Sequence, residues 1–287
     1  MNVFKTAFLL ALMTVLLILL GQLVGGAQGA TMALVFALGM NLITYWFSDR
    51  IVLAMYRAKP LSETEAPQVY RAVREIALRQ RLPMPKLFWI PTQTPNAFAT
   101  GRSPAHASVA VTSGLLELMD AGELQGVLAH ELSHVRNRDT LVMTIAAALA
   151  GAIMWLARMA EWGLWFGGGG RDRNENNRGA GALQLVVLLL IAILAPLAAM
   201  LIQLAISRSR EYGADATGAR LAGTPYGLAS ALEKLETATR AHPLPNANPA
   251  TAHLFIVNPL SGGAIARLFS THPPVAERVR RLRSMRL

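Results

Sequence analysis

The residues with the clearest chemical potential form the segment A-H-E-L-S-H at positions 129–134. His130 and His134 are four residues apart, and side chains at this spacing share one face of a helix, so both imidazoles can reach one metal ion. Glu131 lies beside them, where its carboxylate can take a proton from a water on that metal. The pattern H-E-x-x-H on a helix is typical of zinc sites with three protein ligands and one open position. The alternative is that both histidines merely pack on an amphipathic helix.

A third protein ligand is needed, and because the chain contains no cysteine it must be a histidine or a carboxylate. No His or Asp follows the motif at the short spacing of the metzincin signature. The segment S-R-S-R-E-Y-G-A-D places Glu211 and Asp215 one helical turn apart. Glu211 would complete a His2Glu site, and Asp215 could orient a ligand histidine through its second ring nitrogen. Spacing alone leaves open whether Glu211 is a ligand or a surface carboxylate.

The elements that must position this site are strongly apolar. Of 287 residues, 53% are hydrophobic and 15% are charged, well below the roughly 25% charged residues of a soluble domain. Four apolar stretches approach or exceed the ~20 residues that a membrane-spanning helix needs. They predict transmembrane helices at about 8–24, 30–47, 141–166 and 183–206. A cleavable signal peptide is the alternative for the first stretch, but a second span follows closely, so an uncleaved helical hairpin is the prediction.

The distribution of basic residues predicts the orientation. Of the 27 Lys and Arg residues, 23 lie before the first span or in the blocks 48–140 and 207–287. The positive-inside rule therefore places both termini and both blocks in the cytoplasm. The net charge of +10 fits this topology, and with no RNP motif, zinc finger or basic helix with interleaved aromatics, no nucleic-acid partner is expected.

This organisation divides the chain into four parts. Residues 1–47 are predicted to form a transmembrane helical hairpin, and residues 48–140 a first cytoplasmic block that contains the H-E-x-x-H helix. Residues 141–206 are predicted to form the third and fourth spans with a short periplasmic loop, and residues 207–287 a second cytoplasmic block. In the first block, Asp120 and Glu123 have capping-box spacing, which predicts a helix to about Asn137. In the stretch 96–114, Val109 and Val111 alternate with small residues, which predicts a β-hairpin. The predicted fold class is α+β and mainly helical, with a small β-hairpin or sheet.

Several ordered sequence blocks together resemble the peptidase family M48, and most closely its heat-shock-associated bacterial membrane branch. They are NAFATG at 96–101, HELSH at 130–134, SRSREYGAD at 207–215, NPATAHLFIVNPL at 248–260 and FSTHPPVAERVRRL at 269–282. With four spans in corresponding places, the resemblance covers essentially the whole chain.

The resemblance implies a zincin-like metalloprotease domain that binds one Zn²⁺ through His130, His134 and Glu211, with Glu131 as the general base. It also implies that His272 and Arg278 stabilise the oxyanion of the tetrahedral intermediate; without it, both are plain surface residues beside a helix start. A further implication is that Asn96, Ala97 and Phe98 belong to the edge where an extended substrate peptide adds as a strand. The alternative for this segment is a simple turn before a hairpin. No role for His253 follows from the sequence.

The leading hypothesis is therefore an ATP-independent quality-control endopeptidase of the bacterial inner membrane, with a cytoplasmic active site. The expected partners are the lipid bilayer, misfolded or membrane protein substrates, and other membrane proteases with which its work is shared. A related alternative keeps the zinc chemistry but assigns narrow peptide processing. A catalytically inactive adaptor or metal transporter is the third hypothesis, disfavoured because transporters place ionisable residues inside their spans.

Overall fold

A computed structural model describes residues 2–151, 153, 208–241, 253–257 and 273–286. The helices are α1 (Asn2–Met55), α2 (Pro67–Gln80), α3 (Ser113–Leu118), α4 (Ala121–Arg136), α5 (Asp139–Gly151), α6 (Arg208–Ala222), α7 (Tyr226–Ala241) and α8 (Val275–Arg283). The strands are β1 (Lys59–Pro60), β2 (Lys86–Ile90), β3 (Ala97–Thr100) and β4 (Ser108–Thr112), with a 3₁₀ turn at Pro104–His106. The predicted mainly helical α+β class with a small sheet is confirmed.

Helix α1 consists of two arms that fold back on each other. Gly25 and Gly26 have non-helical backbone angles at the bend. Across the arms, the Asn41 amide donates to the Thr14 hydroxyl at 2.8 Å and contacts the Leu10 carbonyl at 3.3 Å. The first arm also packs against α5 through an apolar cluster that includes Leu9. The N-terminal segment is thus a helical hairpin, and the Asn41 amide links its two arms.

Many large apolar side chains of this hairpin are exposed, among them Phe4, Met32, Val35 and Leu42. Exposed apolar surface of this extent is typical of contact with lipid. Within the described residues, one helix, Gly25–Met55, is long and apolar enough to cross a membrane, and Thr6–Leu19 and Asp139–Gly151 are shorter apolar helices. Most of the predicted third and fourth spans lies outside the described residues, so the four-span topology stays a prediction.

The sheet is small and mixed, with strand order β1-β2-β4-β3. Strand β2 pairs in parallel with β4, and β3 pairs with β4 in antiparallel fashion, with Phe98 opposite Ala110. The predicted hairpin within 96–114 is therefore present. In this order β3 is an edge strand, and its outer edge faces α4, because the Ala99 amide reaches Glu131 on that helix.

Helix α4 is the centre of the apolar core that carries the sheet. Its capping box is present as predicted: Asp120 accepts from the Glu123 amide, Glu123 accepts from the Asp120 amide, and the helix ends at Asn137. Helices α2, α6 and α7 and strand β3 all pack on α4, which is buried along most of its length. The core between them is apolar, with Val127, Leu128 and Leu132 fully buried. Apolar packing on every side therefore fixes the helix that carries the histidines.

Candidate metal centre

Helices α4 and α6 bring three metal-binding side chains together. The Nε2 atom of His130 lies 3.8 Å from one Glu211 oxygen, and the Nε2 atom of His134 lies 3.5 Å from the other. One ligand atom from each residue falls within 4.8 Å of the others, and all three side chains are buried. Four ligands at ~2.1 Å around zinc would lie roughly 3.4 Å apart, so this spacing is close to that of a tetrahedral site.

Each histidine presents its other ring nitrogen to a buried carboxylate. His130 Nδ1 lies 3.0 Å from Asp215 Oδ1, a contact of hydrogen-bond length with a bent angle. His134 Nδ1 lies 3.3 Å from Asp139 Oδ2. A carboxylate at Nδ1 holds the proton on that nitrogen and leaves Nε2 free as a metal ligand. Both imidazoles are therefore oriented with Nε2 toward Glu211.

Two arginines neutralise part of this negative charge. Arg278 on α8 is fully buried and donates to both Asp215 oxygens, at 2.7 and 2.8 Å. Arg210 lies 3.6 Å from Asp139. Burial opposes ionisation of Asp215, but the charge and hydrogen bonds of Arg278, together with the contact to His130, outweigh burial and lower the pKa of Asp215 to about 2. Asp215 is therefore an anion at neutral pH.

Glu131 projects into the same space from α4. Its Oε2 atom accepts a hydrogen bond from the Ala99 amide of β3 at 2.9 Å. Burial raises the pKa of Glu131 to about 7. A carboxyl group with a pKa near the operating pH is suited to accept and return a proton.

The pKa values of the two buried histidines shift in opposite directions. At His134 burial disfavours the charged form, but the negative charges of Glu211 and Asp139 outweigh it and raise the pKa to about 9. At His130 burial dominates, and its pKa is lowered despite Asp215. The centre thus contains four buried acidic side chains, of Glu131, Asp139, Glu211 and Asp215. A bound divalent cation would replace the His134 proton as the positive charge among them.

A small pocket lies among these groups. Its lining joins the site residues to β3, to Met143 of α5 and to the segment His253–Ile256. The free cavity has a volume of about 10 Å³, which is room for about one water molecule.

Comparisons with known proteins identify the family. The model of the peptidase family M48 matches residues 63–286, which is most of the chain. The chain belongs to peptidase family M48. The metal-binding residues of α4 and α6 both lie inside the matched region, so this M48 peptidase carries its candidate metal centre within the family domain.

Relatives cover the M48 chain from end to end. A protein named Protease HtpX homolog from Syntrophobacter fumaroxidans is 60% identical over 282 residues, 98% of this chain and 99% of the relative. Proteins of the same name from Pelotomaculum thermopropionicum and Pyrococcus furiosus are 55% and 54% identical, over 99% and 98% of this chain. The predicted resemblance is therefore confirmed: the chain is similar over nearly its whole length to proteins named Protease HtpX homolog.

A solved structure shows the same fold in a more distant protein. The crystal structure of S. mikatae Ste24p aligns with 86% of this chain at a TM-score of 0.50 and 20% identity. The M48 chain spans only 57% of the length of that Ste24p chain, so the similarity concerns the fold alone.

The structure brings together most of the residues that the sequence suggested. His130, Glu131, His134, Glu211 and Asp215 line or border one pocket, while His272 lies outside the described residues. Arg278 is buried against Asp215, and its Nη1 atom donates to the Ile256 carbonyl at 2.9 Å.

The suggested substrate segment is buried. Ala97 and Phe98 are inside β3, and the Asn96 side chain, 2% exposed, accepts from the Ile256 amide at 3.1 Å.

Sequence reasoning missed three participants. Asp139 lies five residues after His134, and this spacing could have indicated a partner for that histidine. The Ala99 amide could not be found, because a backbone donor has no sequence signal. His253 is buried with Nε2 3.0 Å from the Met143 carbonyl, and its segment lines the pocket.

Proposed function

We propose that this M48 peptidase is a zinc-dependent endopeptidase that hydrolyses misfolded and membrane proteins at the cytoplasmic face of a bacterial inner membrane. The observation that carries the proposal is the buried cluster of His130, His134 and Glu211 with Glu131 beside it. A family of peptidases, a His2Glu donor set and a buried carboxyl group with a pKa near 7 are the parts of a metallopeptidase site.

The donor set fits zinc. Two imidazole nitrogens and one carboxylate oxygen are ligands that zinc accepts, and three protein ligands leave a position open for catalysis. A hard cation such as Mg²⁺ or Ca²⁺ prefers oxygen donors throughout. The carboxylates behind both Nδ1 atoms complete the arrangement, because such partners orient the imidazoles and strengthen them as ligands.

Each residue has a separate task in hydrolysis. His130, His134 and Glu211 would hold the metal, while Asp215 and Asp139 keep the two imidazoles oriented. When bound, zinc supplies a Lewis acid that polarises a carbonyl and makes water a nucleophile near neutral pH. Glu131 accepts the proton of the attacking water at its carboxylate and passes it to the departing amine.

Arg278 and His272 are proposed to stabilise the negative charge that develops on the substrate oxygen. The Arg278 guanidinium already donates to a backbone carbonyl, that of Ile256, which is the kind of acceptor a peptide substrate offers. Positive donors aimed at a developing oxyanion are worth several kcal/mol. His272 is assigned from the family resemblance alone.

The membrane topology is part of the proposal. Four spans, both termini in the cytoplasm and the cytoplasmic blocks 48–140 and 207–287 follow from the apolar stretches and the basic residues. Helix α5 begins at Asp139, only five residues after His134, so the metal centre would lie directly beneath the bilayer. This position suits membrane-protein substrates and work shared with other membrane proteases.

Degradation of an unfolded test protein by detergent-purified enzyme tests the function. With added zinc, the parent should cleave it, and a chelator should stop the reaction. Glu131→Gln should lower kcat by about 10²–10⁴-fold, the contribution of a general base, while zinc binding stays stoichiometric. Zinc-loaded parent protein that cleaves no unfolded or membrane protein would refute the proposal.

A further inference from the structure

The segment His253–Val257, here called the strap, lies across the candidate active site. Four of its residues line the same pocket as the metal-binding side chains. All four are buried, with exposed fractions of 1–5% for His253, Leu254, Phe255 and Ile256. With the strap in place, the cavity above Glu131 has a volume of only about 10 Å³. No peptide fits into a space that holds about one water molecule.

Three polar contacts and one ring contact hold the strap in place. The Ile256 amide donates to Asn96 Oδ1 at 3.1 Å, and the Ile256 carbonyl accepts from Arg278 at 2.9 Å. The His253 Nε2 atom lies 3.0 Å from the Met143 carbonyl. The Phe255 ring packs against Tyr56, with ring centroids 5.9 Å apart. These contacts anchor the strap to Asn96 beside β3, to α8, to α5 and to Tyr56.

The strap lies at the edge of β3 where an added strand would pair. The Thr112 amide donates to the Asn96 carbonyl, and along an antiparallel pair such bonds alternate from residue to residue. The backbone groups of Ala97 and Ala99 therefore point away from β4, toward the outer edge. The Ala99 amide confirms this direction, because it donates to Glu131. An extended chain pairing there would pass directly over the candidate general base, through the space that the strap closes.

We propose that the strap is an autoinhibitory segment that covers the substrate-binding edge of β3 until an extended polypeptide displaces it. This inference rests on the proposed function and adds its regulation and its substrate class. A substrate must offer free backbone groups to replace the contacts at Asn96 and Arg278, and an unfolded chain does so, whereas a folded surface does not. The apparent affinity for substrate is reduced by the fraction of molecules in which the strap is closed.

The first test measures access to the metal and needs no proteolysis. Full-length, zinc-loaded protein in detergent is mixed with an excess of chelator, and the rate of zinc removal is recorded. Asn96→Ala removes the acceptor of the Ile256 amide and should speed zinc removal by roughly three- to tenfold, the factor that one buried hydrogen bond is worth. The matched control is Thr94→Ala, a buried neighbour whose side chain does not hold the strap. Equal rates in all three proteins would overturn the proposal.

The second test locks the strap. The chain has no cysteine, so Asn96→Cys combined with Ile256→Cys can form one disulfide that ties the strap to the strand, with Asn96→Cys alone as control. The oxidised double variant should lose at least about tenfold of its cleavage rate on an unfolded protein, and reductant should restore it. If the double variant cleaves at the same rate in the oxidised and the reduced state, the autoinhibitory role of the strap is refuted, while the proposed function stands. If Asn96→Ala speeds zinc removal but the protein cleaves no substrate, the proposed role of the strap is supported and the proposed function is refuted.

Discussion

Replacing Asp215 by asparagine should weaken the fold and the metal site for two separate reasons. Asp215 contacts His130 on one side and receives two hydrogen bonds from the fully buried Arg278 on the other. Asparagine keeps the shape of the side chain but removes its charge. Arg278 then loses its hydrogen-bonded counterion, and breaking a buried ion pair on one side costs about 3–5 kcal/mol. That is a large part of the ~5–15 kcal/mol that stabilises a typical domain.

The effect on the metal site is smaller and independent. Loss of the carboxylate behind a ligand histidine lowers metal affinity by about 10–100-fold, or about 1.4–2.7 kcal/mol. The double variant Asp215→Asn/Arg278→Met removes the uncompensated cation as well. We expect it to recover most of the lost stability but none of the lost zinc affinity.

Two measurements on metal-free and zinc-loaded protein in detergent separate these effects. Denaturant unfolding of the metal-free protein gives the stability of parent, single and double variants, and competition with a chromogenic chelator gives zinc affinity. The reasoning is refuted if Asp215→Asn leaves both quantities unchanged. It is also refuted if adding Arg278→Met to it restores zinc binding, because the carboxylate would then not act on His130.

Three further predictions follow from the same contacts. Asp139→Asn should lower zinc affinity by about 10–100-fold, since its carboxylate lies behind His134; an unchanged affinity in the chelator competition would contradict this role. The profile of kcat/KM against pH should have an acidic limb at or below about pH 7, because protonation of Glu131, with a pKa of about 7, removes the proton acceptor, and a bound cation lowers this pKa. An acidic limb that Glu131→Gln retains at the same pH in its residual activity would argue against Glu131 as the base. Glu123→Ala should lower the free energy of unfolding by about 1–3 kcal/mol and leave zinc affinity unchanged. The reason is that this buried carboxylate caps α4 and accepts hydrogen bonds from Ser230 and Lys234 of α7. Equal unfolding midpoints for variant and parent would show that these contacts contribute nothing to stability.

The sequence predicted the elements whose signals are local. The capping box at Asp120 and Glu123 and the apolar spacing that follows are properties of neighbouring residues, so helix α4 could be placed almost to the residue. A local signal can also mislead. Ser62 and Glu65 have capping-box spacing and form a hydrogen-bonded turn, but helix α2 begins later, at Pro67, because proline favours the first position of a helix.

The site itself was predictable only where one helix supplies both partners. The spacing of His130 and His134 fixed their common face, whereas Glu211 comes from a helix far along the chain, and spacing alone could not choose it. The burial of Asn96 was not predictable either, because its partner is a backbone amide in another segment. Contacts of this kind depend on how segments cross in three dimensions, and a single sequence carries no record of that crossing.

Glycine contacts between the helices have a consequence for the order in which fold and metal site form. At Gly218 of α6, an added Cβ would lie 2.9 Å from the backbone nitrogen of His130, and at Gly126 of α4 it would lie 2.6 Å from that of Leu228. The backbones of α4, α6 and α7 therefore touch directly, and this contact sets the distance between the histidines and Glu211. In zinc fingers the ion itself drives folding. In this protein, apolar packing offsets the entropy that is lost when distant segments are brought together. A chelator should therefore remove the metal while the helical circular dichroism signal stays unchanged.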